Sequence, residues 1–200
     1  MTAAAEGLIT GADGRTRCWW PGADPTYVAY HDEEWGQPVH DDVRLYEKLC
    51  LEGFQSGLSW LTILRKRDNF RAAFASFDPQ AVAGFGADDV QRLLSDAGIV
   101  RHRGKIEAAI ANATVVLDLA DAHGSLDAFV WRFAPDPLPP RPTSMADVPA
   151  TTPASTALSK ELKRHGCRFV GPTTAYAFMQ SMGMVDDHLD GCHIAPPGPR

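Results

Sequence analysis

Cys18, His31, His188 and Cys192 have the most specific chemistry open to them. Three residues lie between His188 and Cys192 in DDHLDGC, so both ligand atoms can reach one ion from about one turn of chain. Twelve lie between Cys18 and His31, a spacing with no local geometric meaning. Either pair alone arises often by accident. Together they supply two thiolates and two imidazoles, a donor set suited to zinc. Four protein donors leave no position for water. Such a site clips the two ends of the chain together and activates no nucleophile. His193 competes with His188 but would have to chelate awkwardly beside Cys192. His40, His102, His123 and His165 lie in polar surroundings and read as surface residues. Cys50 and Cys167 read as structural thiols.

A second constellation overlaps the first. Segment 18–35, CWWPGADPTYVAYHDEEW, is dense in aromatic rings for a stretch with two prolines and several acids. Trp19 and Trp35 read as a plug over the core. Tyr27 and Tyr30, three apart, can share a helical face. Ring faces attract cations, so a pocket made from such rings suits a flat, electron-poor ligand. Glu52 ends an apolar helical turn, where an acid is ordinarily solvated. Buried beside the rings, it becomes an acceptor for an amino group or a counter-ion for a cation. In FQSGLSW, Gly57 and Leu58 fall at a turn and Trp60 at a helix start. A leucine exposed on that turn is either a wedge between bases or ordinary loop packing.

Two basic patches complete the inventory. In LSDAGIVRHRGKI one helix ends, Gly98 turns the chain, Arg101, His102 and Arg103 follow, and Gly104-Lys105 opens the next helix. Such a hairpin can offer backbone N–H groups and a helix start to phosphate, with Lys105 adding charge. Segment 160–168, KELKRHGCR, sums to +3, four basic residues against one acid. The two patches mark either a duplex-binding surface or solvated helix faces.

The elements that must position these groups are helical. Ile106, Ala109, Ile110, Ala113, Val116, Leu117 and Ala120 recur at steps of three and four. Asp41-Asp42 and Asp78-Pro79 read as helix starts, and Gly166 and Gly183 as stops. No stretch alternates well enough to predict a sheet. Segment 134–153 holds seven of the fifteen prolines and is expected as an extended surface connection. The fold class is therefore all-α. At 200 residues, a charge of −6, 44% apolar and 22% charged residues, disordered, collagenous and uniformly basic chains are excluded. No apolar run approaches the roughly 18 residues of a membrane span. The start of the chain has no signal-peptide pattern and reads as a mobile tail, so a cytoplasmic protein is expected.

Taken in order, DPTYVAYHDEEWG, CLEGFQSGLSW, DAGIVRHRGKI, LSKELKRHGCRFVGPTTAYAFMQ and DHLDGC strongly resemble the type I 3-methyladenine DNA glycosylases, over about residues 17–193. The resemblance implies a two-lobed helix-hairpin-helix glycosylase fold, with residues 1–16 and 196–200 as tails around one catalytic domain, 17–195. It implies a zinc ion on Cys18, His31, His188 and Cys192. It implies a base pocket from Glu52, Trp20, Tyr27, Tyr30 and Trp60, in which Glu52 bonds the amino edge of the base. It implies a DNA hairpin near Gly98, Arg101, Arg103, Gly104 and Lys105, with Gly57 and Leu58 near the lesion gap. The implied reaction releases free 3-methyladenine from alkylated double-stranded DNA, and a monomer is expected. Trp19 and the longer N-terminal tail depart from the family pattern without touching a motif residue. Two rival readings are a zinc-stabilised DNA-binding module without catalysis and a zinc hydrolase of small molecules.

Overall fold

A computed structural model describes residues 6–197; the outermost parts of the expected tails, 1–5 and 198–200, lie outside the described residues. Among the described residues the chain forms one hairpin, β1 (Leu8–Thr10) with β2 (Thr16–Cys18), and nine α-helices. These are α1 (Pro25–Glu33), α2 (Asp42–Gln55), α3 (Trp60–Ala73), α4 (Pro79–Ala83), α5 (Ala87–Ser95), α6 (Arg103–His123), α7 (Leu126–Trp131), α8 (Pro153–Arg164) and α9 (Pro172–Ser181). The chain is mostly helical, as its periodicity predicts.

Short polar residues set the helix starts. Asp24, Asp41 and Asp78 accept the first free amides of α1, α2 and α4 from Tyr27, Arg44 and Gln80, at 3.1, 2.8 and 3.0 Å. Each cap contributes about 1 kcal/mol. Prolines open α1, α4, α8 and α9, where the missing N–H costs nothing. Gly124, at φ 91°, closes α6 in the left-handed conformation.

Helix α2 is the axis of the fold. It packs against α3, α6, α7 and α9, and every residue from Leu45 to Phe54 is buried. A helix covered on all sides is normally apolar throughout. This one carries Glu47, Lys48 and Glu52, which must therefore find partners. Glu47 accepts from Arg71 Nε of α3 at 2.9 Å. Phe54, Phe70, Phe74 and Phe77 stack around the far side of α2 with centroids 4.7 to 5.8 Å apart along the chain of contacts. Each such side chain contributes about 1.5–3 kcal/mol by leaving water.

The N-terminal segment differs from expectation. Leu8 pairs with Cys18, Ile9 with Arg17 and Thr10 with Thr16 in an antiparallel ladder, so residues 8–16 are not open tail and the fold does contain a small sheet. Three-residue strands are too short to alternate visibly, but Gly11, Asp13 and Gly14 supply the turn chemistry. Arg17 anchors the hairpin through forked bonds to Asp13 and Asp32, at 2.6 and 2.7 Å. The proline-rich segment has no α-helix between Trp131 and Pro153, as expected. It bonds both ends of the chain, through Met145 N to Glu6 O and Asp190 N to Pro142 O. Among the described residues, no helix is long and apolar enough to cross a membrane.

Candidate functional site

The four predicted metal ligands converge. Their donor atoms all lie within 4.8 Å of one another, and all four residues are buried. Cys192 Sγ is 3.6 Å from His31 Nε2 and 3.7 Å from His188 Nδ1, and Cys18 Sγ is 3.9 Å from His188 Nδ1. Metal–ligand bonds of about 2.0–2.3 Å in a tetrahedron give edges of about 3.3–3.8 Å, close to these three separations, and the set could hold one ion. The ring nitrogens that face away are fixed as well. His31 Nδ1 pairs with Asp32 at 2.8 Å, and His188 Nε2 with the Trp35 carbonyl at 3.1 Å. Gly36, at φ 81°, passes so close that a Cβ there would sit 3.0 Å from His188 Nε2. His193 stays outside the set and bonds the Thr16 carbonyl.

Each segment that supplies a metal ligand also lines a neighbouring cavity. Trp20 follows Cys18 by two residues, Tyr30 precedes His31, and Asp187 precedes His188. All three line a cavity of about 250 Å³. That is below the roughly 300–1,000 Å³ of drug-sized sites and on the scale of one flat ring system. Trp20 bridges the two centres, with its ring 5.1 Å from that of His31 and 4.9 Å from that of Tyr27. Tyr30 in turn meets Trp60, at 5.5 Å. Trp19 and Trp35, expected as a plug, line the same cavity.

Glu52 is in the wall of this cavity and only 5% exposed. The solvated alternative is thereby excluded. Its carboxylate is paired with Lys48, whose Nζ stands 2.8 Å from Glu52 Oε1 and 2.8 Å from the Tyr30 hydroxyl. Burial lowers the proton affinity of Lys48, and Glu52 opposes that effect. Burial, and then the Glu52 charge, push the Tyr30 and Tyr27 phenols above their ordinary range, so both stand as neutral donors. The Trp60 indole Nε1 is buried with no hydrogen-bond partner. Asp187 accepts from the Tyr176 hydroxyl at 2.6 Å and from Gln180 at 2.7 Å.

Sequence reasoning missed Lys48, Gln180 and Asp187. Lys48 had a signal, since it lies four residues before Glu52 and thus on the same helical face. Gln180 and Asp187 had none, because only the fold brings them to α2.

The predicted hairpin is present as α5, a turn and α6. Gly98 N donates to Asp96 Oδ1 at 2.7 Å, and Lys66 Nζ binds the Ala97 and Gly98 carbonyls. Arg101 and Arg103 are exposed. Lys105 is not. Its side chain turns inward, 8% exposed, and Nζ donates to the Phe54 and Ser56 carbonyls at 2.9 and 2.6 Å. The long aliphatic stem lets the ammonium lie back on the end of α2, where unpaired carbonyls attract a cation. Lys105 is therefore a brace between the hairpin and the turn that follows α2. His102, read as a plain surface residue, is exposed but caps α6 by accepting from Lys105 N. Gly57, at φ 82°, makes that following turn, and Leu58 projects from it, 43% exposed.

Comparison with known proteins bears on this arrangement. The methyladenine glycosylase family profile matches residues 20–195. The chain is 50% identical over 181 residues to DNA-3-methyladenine glycosylase 1 of Escherichia coli, covering 90% of this chain and 97% of that protein. It is 46% identical over 178 residues to a DNA-3-methyladenine glycosylase of Haemophilus influenzae, covering 88% and 96%. A crystal structure of 3-methyladenine DNA glycosylase I matches with a TM-score of 0.85 at 49% identity, over 90% of this chain and all of the other. A Staphylococcus aureus structure concerned with 3-methyladenine recognition matches at 0.85 and 38% identity, over 89% and 95%.

Proposed function

The chain belongs to the methyladenine glycosylase family, and we propose from that premise that its ring-lined cavity is where a flipped-out 3-methyladenine is bound and released. The chain is a DNA N-glycosylase that removes 3-methyladenine from alkylated DNA. The observation that carries the assignment of the site is the buried Glu52 in the wall of an aromatic cavity sized for one base.

Methylation at N3 gives the adenine a positive charge while it is bonded to the sugar. When the glycosidic bond breaks, its electron pair goes to the base, which leaves neutral. Water then adds to the sugar carbon and gives up a proton. Little acid catalysis is needed for such a leaving group. The residues must extrude the nucleotide, hold the base and stabilise charge on the sugar. In this reading Glu52 accepts from the amino edge of the base, Trp20 and Trp60 stack on it, and Tyr27 and Tyr30 wall it in. Leu58, with Gly57, fills the space the base leaves. Gly98, Arg101, Arg103 and Gly104 hold phosphate on the duplex.

The ion assigned to Cys18, His31, His188 and Cys192 is zinc, on the chemistry of two thiolates and two imidazoles. When bound it supplies a cross-link and no reaction step. Its ligands adjoin Trp20, Tyr30 and Asp187, so the cross-link sets the width of the cavity.

Incubation with methylated duplex DNA, followed by chromatography of the released bases, tests the assignment. The expected result is free 3-methyladenine from the wild type and a loss of about a hundredfold or more in E52Q, with weaker binding of the free base. An E52Q protein that binds free 3-methyladenine as tightly as the wild type overturns the role given to Glu52.

A further inference from the structure

Phe169, in the short segment between α8 and α9, is a bulky residue in the left-handed region, at φ 57°, and it is 39% exposed. Glycine is at ease in that conformation, and a bulky side chain there is strained. Phe77 shares the conformation, also at 57°, but it is fully buried, and its contacts in the core offset the strain. The Phe169 ring, partly in water, lacks that compensation. The backbone on either side of it is pinned. Asn112 of α6, itself buried, donates through Nδ2 to the Arg168 carbonyl at 3.0 Å and accepts from Arg168 N at 2.8 Å. Ser159 of α8, also buried, donates to the Val170 carbonyl at 2.6 Å. On α2, Gly53 makes room, since a Cβ there would sit 3.3 Å from Phe169 Cβ. A glycine inside a helix lowers stability relative to alanine. A strained phenylalanine and a helix-interior glycine thus have one result in common, the position of this ring.

The position adjoins two elements already described. His102, the N-cap of α6, has its ring edge-on to that of Phe169 with centroids 6.4 Å apart. Phe169 also borders the same small crevice as Lys105, whose Nζ donates to the carbonyl of Ser56, two residues before Leu58. The neighbouring Arg168 is exposed, whereas Arg164 of the same basic segment is tied to Glu161 at 2.8 Å. An exposed ring beside an exposed arginine complements what a nucleic-acid strand offers, a flat apolar surface next to a phosphate.

We propose, resting on the reading that the α5–α6 hairpin and the Leu58 turn meet duplex DNA, that Phe169 and Arg168 form a third contact with it. Phe169 lies against the sugar and base edge of a nucleotide flanking the lesion, and Arg168 binds a phosphate. The pinned backbone presents the ring before DNA arrives, so little ordering is needed on binding.

The test is fluorescence anisotropy with a duplex that carries a tetrahydrofuran abasic analogue, alongside binding of free 3-methyladenine and melting curves. F169A and F169G should each weaken duplex binding about tenfold, with the salt slope unchanged. Their affinity for the free base should stay within about twofold of the wild type. F169G should melt within about 5 °C of the wild type, because glycine relieves the strain that the lost contacts of the ring had opposed. F169Y keeps the ring and should bind duplex within about threefold of the wild type. R168A should flatten the slope of log K against log salt by about 0.9. Wild-type duplex affinity in F169A and F169G overturns the proposal, and a salt slope unmoved in R168A overturns the part given to Arg168. Variants that lose duplex and free base together show a merely structural ring, which also overturns it. If R101A and R103A leave duplex affinity and salt slope at wild-type values, the hairpin reading itself falls. If they weaken binding while F169A does not, the Phe169 contact alone falls.

Discussion

Replacing Lys105 by methionine separates two roles for one cation. A phosphate ligand and an internal brace predict opposite results. The Lys105 ammonium donates to two carbonyls at the end of α2, at 2.9 and 2.6 Å, from a side chain that is 8% exposed. A bond to a charged donor contributes about 1.5–3 kcal/mol, and two on one ammonium are not additive. Methionine keeps the stem and loses both bonds, so K105M should cost about 2–4 kcal/mol. For a domain of this size that is a fall of roughly 5–15 °C in melting temperature. Urea titration and melting curves give the stability. The salt dependence of duplex affinity, by fluorescence anisotropy between roughly 50 and 200 mM salt, gives the phosphate count. Each phosphate contact removed flattens the slope of log K against log salt by about 0.9. R101A and R103A should each show that change with little loss of stability. K105M should show the stability loss with the slope intact. A K105M protein as stable as the wild type, with a slope flatter by about 0.9, would refute the brace.

Other outcomes follow from the same structure. C192S should lose the zinc proposed for the cysteine and histidine cluster, read by elemental analysis, and more than about 3 kcal/mol of stability, because that ion would join segments far apart in the chain. Burial raises the proton affinity of Glu34, but the Arg67 fork outweighs it and holds the carboxyl below its ordinary range. A depressed folded value contributes stability above the unfolded pKa of about 4.3, which is lost as the pH falls through the folded one. Both partners are partly exposed, so the effect is about 1 kcal/mol, and E34Q should flatten the acid limb of a stability–pH curve by that amount. L58A should change stability by less than about 0.5 kcal/mol, since Leu58 is already exposed. It should slow base release from duplex about tenfold and leave free-base affinity as it was.

Much of this was legible from local chemistry. Asp41 and Asp78 declare helix starts because a short carboxylate satisfies the first amides of whatever follows. The cysteine and histidine set was legible only as two pairs, and the fold alone brings Cys18 to His188 across 170 positions. Glu52 stands out in the sequence, but alone. In LYEKLCLEGF the lysine one turn earlier was the missing half, and an acid and a base on one face of a buried helix predict an ion pair. Lys105 misled because a charge beside glycines in a hairpin resembles a phosphate ligand. Which way a flexible four-carbon stem folds depends on α2, which lies elsewhere in the sequence. The N-terminal hairpin escaped because its strands are shorter than the window in which alternation can be counted.

The pairing of cavity residues with metal ligands fixes when, during synthesis, this enzyme can begin to work. Asp187, His188 and Cys192 leave the ribosome long after Trp20, Tyr30 and His31. A chain that stops before α9 lacks Gln180 and Asp187 of the cavity and two of the four clustered cysteine and histidine side chains. Truncated products therefore carry the α5–α6 hairpin without a finished cavity.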